Sequence, residues 1–149
     1  MIRLILAITV MLLSCCSRGT SSGHSTADEA EVRAFLTRYF STWSAQDMAG
    51  YEGCFYPSAR INFVAKDGNI DGLGLTDFIH SQKMAHQTSP SPMTEVPVSM
   101  TIELHEPVTQ AAVHWKLSKA GQDQTGIDFF TLVKTPAGWR IVSLSFFND

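Results

Sequence analysis

Between residues 28 and 44, apolar side chains recur at Val32, Phe35, Leu36, Tyr39, Phe40 and Trp43. This i, i+3, i+4, i+7 series predicts an amphipathic helix. Asp47 reads as the N-cap of a second, shorter helix with apolar positions Met48, Tyr51 and Phe55, and Tyr56-Pro57-Ser58 is expected to end it. Residues 61–64 then predict a strand, with Lys66-Asp67-Gly68-Asn69 as a hairpin turn. Gly72-Leu73-Gly74 lacks the third glycine and the preceding buried strand of a phosphate loop, so it reads as a turn. A third helix is predicted over residues 76–87, closed by Ser89-Pro90-Ser91-Pro92.

Beyond this point the hydrophobic period changes from 3.6 to 2. Val96, Val98, Met100, Ile102 and Leu104 alternate with Pro97, Ser99, Thr101, Glu103 and His105, and Val113, Trp115 and Leu117 alternate with Ala112, His114 and Lys116. Two further strands, 127–134 and 139–147, are joined by Thr135-Pro136-Ala137-Gly138, a connection of the kind that links antiparallel neighbours. Helices gathered ahead of a strand meander indicate an α+β fold, in which a curved antiparallel sheet wraps three N-terminal helices to bury its apolar face.

The beginning of the chain reads differently. One charge at Arg3 precedes an apolar run over residues 4–13, too short for an ordinary membrane-spanning helix of about 20 residues but suited to a secretory signal. Leu12-Leu13-Ser14-Cys15-Cys16 follows, and it resembles the lipobox of bacterial lipoproteins. Cys15 is the expected lipid acceptor, with Cys16 in competition. The expected organisation is a signal over 1–14, a lipidated N-terminus and polar tether over 15–26, and one domain over 27–149. That places the protein across the inner membrane, anchored in the cell envelope at the periplasm or cell surface. His24 sits in the tether and is assigned no role.

Without the signal, 10 Lys and Arg stand against 14 Asp and Glu, a formal charge of −4, which does not favour nucleic acid. The third cysteine, Cys54, lies between Gly53 and Phe55 and reads as a small core residue. No His, Cys and carboxylate set has metal-ligand spacing, so no metal or cofactor is expected.

In element order and local sequence the domain resembles the nuclear transport factor 2-like superfamily, which includes SnoaL-like and ketosteroid isomerase-like cones. The carriers are Arg38-Tyr39, Gln46-Asp47, the stretch from Phe55 to Ile61, and the strings over 126–134 and 138–144. The resemblance implies a cavity inside the cone and, in related cones, a homodimer through the outer sheet face. It also implies that Tyr39 occupies the position of the isomerases' oxyanion-donating tyrosine. Their carboxylate position falls on Phe63, beside Asn62, and neither side chain is a base. Steroid-type isomerisation is therefore not expected.

Candidate ligand-binding residues are Tyr39, Trp43, Phe55, Gln82, His86 and Asp128. Tyr39 and Trp43 share the inward stripe of the first helix. Leu75, Ile79, Gln82 and His86 form a stripe on the third helix that turns polar at its end. His80 lies about 240° around that helix from His86 and cannot share a ligand with it. His105 and His114 fall on polar strand positions and are expected in solvent. Asp128 interrupts an apolar strand. It is either drawn inward as an acid or base or paired with Arg140 across the hairpin, which is the plainer reading. Trp115 and Trp139 are read as packing between sheet and helices. The preferred function is binding of a small apolar ligand without an established reaction. The alternatives are a small isomerase, dehydratase or hydrolase using Asp128, Tyr39 and His86, and a dimerising interaction module.

Overall fold

The computed structural model describes residues 26–149; the expected signal, Cys15, and the tether up to residue 25 with His24 lie outside the described residues. Helix α1 spans Thr26–Ser44 and buries all six positions of the apolar series, Val32 through Trp43. Each large side chain so buried contributes about 1.5–3 kcal/mol. A short α2, Met48–Glu52, follows directly, and the Asp47 carboxylate caps it by accepting the Gly50 N–H at 2.9 Å.

The chain becomes extended sooner than the sequence suggests. Strand β1 is Phe55–Val64 and contains Pro57. The ladder tolerates this proline because regular pairing of β1 resumes only at Arg60, so the missing N–H has no partner to fail. β1 forms a hairpin with β2, Ile70–Gly74. Gly72-Leu73-Gly74 is therefore strand, paired with Asn62, Ile61 and Arg60, and not a free turn. Helix α3, Leu75–Thr88, buries Phe78, Ile79 and His86.

Four long strands complete the fold: β3 (Met93–Leu104), β4 (Val108–Lys119), β5 (Gln122–Thr135) and β6 (Gly138–Asn148). The curved sheet has the order β2-β1-β6-β5-β4-β3, antiparallel throughout except for the parallel β1–β6 contact. The helices join one face of it in a single core containing Leu36, Phe40, Phe130, Leu132, Ile141 and Leu144. This is the α+β arrangement that the periodicity predicted, with the cone that the resemblance implied.

One irregularity shapes the interior. In β3, Pro97 pairs with Trp115 but Ser99 pairs with His114, so Val98 is a β-bulge. A bulge reverses which face receives alternate side chains. Ahead of it Met93, Glu95 and Pro97 point inward, and after it Met100, Ile102 and Leu104 do. Val96 and Val98 are accordingly 49% and 66% exposed, which corrects their assignment to the buried face.

Candidate functional site

The cone encloses a cavity of about 180 Å³. Its helical wall comes from Tyr39 and Trp43 of α1, Tyr51 of α2, and Phe78 and Gln82 of α3. Its sheet wall includes Glu95 on β3, Trp115 and Leu117 on β4, Gln124 and Asp128 on β5, and Phe146 and Asn148 on β6. Cross-strand register explains the convergence. Glu95 faces Leu117, which faces Gln124; Trp115 faces Gly126, which faces Asn148; Asp128 faces Phe146.

Asp128 is 4% exposed and accepts a hydrogen bond from the Trp115 indole N–H at 2.8 Å. Gly126 makes that contact feasible. A Cβ there would run into the Trp115 ring and the Phe147 carbonyl oxygen, so only glycine lets the indole lie across β5 toward Asp128. Burial pushes the Asp128 carboxyl well above the ordinary carboxylate range, and the Glu95 charge raises it further, while the Trp115 N–H opposes both. Burial alone pushes Glu95 up to about 7.

On the helical side the Tyr39 and Tyr51 hydroxyls lie 2.8 Å apart. Burial holds both phenols well above their ordinary value, so each keeps its proton at neutral pH. Trp43 is oriented by its N–H, which donates to the Gln82 side-chain oxygen at 2.9 Å. Ser44, at the end of α1, grips the Glu95 backbone twice. Its hydroxyl accepts the Glu95 N–H at 2.8 Å and donates to the Glu95 carbonyl at 2.9 Å.

Of the residues singled out from the sequence, Tyr39, Trp43, Gln82 and Asp128 meet around this cavity, whereas Phe55 and His86 do not line it. Phe55 stands behind the wall, its ring 5.9 Å from that of Tyr39 and 5.5 Å from that of Tyr51. The His86 ring sits 4.3 Å from Trp43, and neither of its nitrogens finds a hydrogen-bond partner. The expected Asp128–Arg140 pair does not form, because Arg140 registers with Val133, well along β5 from Asp128, whose own partner is Phe146. Trp115 belongs to the cavity as well as to the packing, and Trp139 packs against the core while its N–H donates to Glu31 of α1. Cys54 is fully buried and its thiol is raised by burial, as befits a core residue. His105 and His114 are exposed.

Glu95 is the principal residue that the sequence reading missed. The signal for it was Pro97: proline within a strand marks an edge or a bulge, and β3 is an edge strand with its bulge at the next residue.

No curated protein matches the chain. Solved structures do. An NTF2-like protein of unknown function from Shewanella baltica aligns with a TM-score of 0.63 at 17% identity, covering 84% of this chain and 97% of that one. Another from Pseudomonas putida gives 0.70 at 14% identity over 82% and 87%. A protein of unknown function from Mycobacterium tuberculosis gives 0.69 at 20% identity over 84% and 78%. These likenesses share the fold of the cone. Residues 27–147 match a single family model, and the chain belongs to that family, described as "Putative lumazine-binding".

Proposed function

We propose that this protein binds a small planar molecule inside the cone and does so in the cell envelope, held by a lipid on Cys15. The observation that carries the binding role is the cavity itself. Six aromatic side chains surround a space that also offers Asp128, Glu95, Gln82, Gln124 and Asn148. Binding sites commonly combine an apolar, aromatic lining with a few convergent polar groups. At about 180 Å³ it is smaller than the roughly 300–1,000 Å³ of drug-sized pockets, which favours a single or fused ring. The polar groups argue for an amphipathic ligand in place of the purely apolar one expected from sequence. The family's description supports a small-molecule ligand. The envelope location rests on Arg3, the apolar run and the Cys15 context.

A second reading is proton transfer on a bound molecule. It is favoured by the juxtaposition of Glu95, raised to about 7, with Asp128, whose carboxyl burial and the Glu95 charge push well above the ordinary range. Its machinery would be Glu95, Asp128 and Tyr39, without His86. A homodimer is supported by Phe129 on the outer sheet face, 48% exposed and stacked on Phe147. Sedimentation velocity of Phe129→Ser against the wild type tests it, and an unchanged monomer in both removes it.

The decisive experiment is native mass spectrometry of the full chain purified from its own host, followed by a ring-fragment screen read on the indole N–H resonances of Trp43 and Trp115. A retained small molecule, or fragments that move those resonances, is the expected result. An empty protein whose resonances no fragment moves would overturn the binding role.

A further inference from the structure

The charge of the cavity narrows its ligand, given that the cavity is the binding site. Among the described residues, no Lys, Arg or His lines it, yet it holds two carboxyl groups, Glu95 from the edge strand and Asp128 from β5. They are near enough for the Glu95 charge to act on Asp128. Asp128 takes one hydrogen bond, from Trp115. Among the described residues, no group donates a hydrogen bond to the Glu95 carboxylate. Buried carboxyls are ordinarily matched by a cation or by several donors, because an unmatched charge is costly away from water. Here the fold brings the two acids together, and among the described residues no counter-charge lines the space.

The surroundings are of one kind. α1 presents Tyr39 and Trp43, α2 presents Tyr51, and α3 presents Phe78 and Gln82. β4 presents Trp115 and Leu117, and β6 presents Leu144, Phe146 and Asn148. Both phenols are neutral, so among the described residues Glu95 and Asp128 are the carboxyl groups that face the space, and burial raises both. Aromatic faces attract cations. An anionic ligand would meet two carboxyls and no positive side chain.

We propose that the cavity takes a small planar organic cation, an amidine or ring amine whose N–H groups meet Glu95 and Asp128 while its ring lies among the indoles and phenols. Occupation then supplies the missing counter-charge. Because burial raises Glu95 to about 7, a cation draws protons out of the carboxyl pair as it binds. Affinity therefore rises with pH through neutrality, and protons are released to the buffer.

Three compounds of nearly one shape separate charge from fit: benzamidine (cationic), benzamide (neutral) and benzoate (anionic). Each is titrated by calorimetry into the full chain in buffers of different ionisation heat, with the Trp115 and Trp43 indole resonances confirming the location. Benzamidine is expected to bind roughly tenfold or more tighter than benzamide, with benzoate weakest. It is also expected to release protons and to tighten between about pH 6 and about pH 8. Glu95→Gln is expected to abolish both the preference and the pH dependence while leaving the far-ultraviolet dichroism unchanged. Should that variant misfold, the wild-type pH profile and proton count decide alone. Benzamide binding as tightly as benzamidine, or benzamidine binding without proton release, overturns the cation inference and leaves the cavity reading intact. If none of the three moves either indole resonance, both readings fall.

Discussion

Replacing Glu95 by glutamine should make the protein more stable at mildly alkaline pH and leave it little changed in acid. Folding raises this carboxyl from its ordinary value of 4.5 to about 7 by burial. Between those values the native state holds a proton that the unfolded chain has released. Stability must therefore fall as pH rises through the window. The contribution is fully present below about pH 4.5 and is lost by the time pH has passed 7. At about 1.36 kcal/mol per pH unit the swing is about 3 kcal/mol, a large part of the 5–15 kcal/mol typical of a domain. Asp128 acts in the same direction, since burial also raises it. His86 acts oppositely, because burial lowers it below 6.5 and a neutral native histidine gains stability as pH rises toward that value. Subtracting the wild-type curve from that of Glu95→Gln removes most of the His86 effect along with the surface carboxylates. The assay is urea denaturation followed by tryptophan fluorescence at several pH values from about 4.5 to about 8. The difference should move toward the variant by about 3 kcal/mol across that range. A difference that stays flat within about 0.5 kcal/mol, or that moves toward the wild type, refutes the burial of Glu95 as described.

Three further outcomes follow from the geometry. Gly126→Ala would force its Cβ against the Trp115 ring and the Phe147 backbone; with overpacking and a displaced bond to Asp128 it should cost about 2–5 kcal/mol, and a midpoint of denaturation unchanged from wild type would contradict the role given to this glycine. Ser44→Ala removes both hydrogen bonds to the Glu95 backbone, so a loss of about 1–2 kcal/mol is expected, together with faster amide exchange at Glu95; protection equal to wild type would count against the clamp. For the envelope proposal, palmitate labelling in the native host should mark the wild type and Cys16→Ser but not Cys15→Ser, and label retained by Cys15→Ser would reassign the acceptor.

Helix α1 was legible because its spacing and its burial obey one rule: each residue of the 3.6-period series packs on the sheet, and nothing in its neighbours competes. The last hairpin was equally plain, with Thr135-Pro136-Ala137-Gly138 joining β5 to β6 as expected. β1 was harder. Tyr56-Pro57-Ser58 carries the local signature of a stop, and only the parallel neighbour β6, distant in sequence, draws Phe55 into the sheet. Non-local pairing of that sort overrides a proline whose N–H was never going to be used.

The site divides along the same line. Tyr39, Trp43 and Gln82 could be found from helical period because a helix face continues through its neighbours without change of phase. Strand faces do not, and a single inserted residue exchanges inside for outside. Val96 and Val98 looked like the buried face of β3, yet the bulge at Val98 turns them to solvent and puts Glu95 inside. With Glu95 inside, Asp128 shares the cavity with another acid, and the cavity is acidic and aromatic. The chemistry of this pocket thus turns on Val98, a residue that does not line it. Restoring regular alternation by deleting Val98 should return Glu95 to solvent, and with it the carboxyl pair on which the proposed ligand selectivity rests.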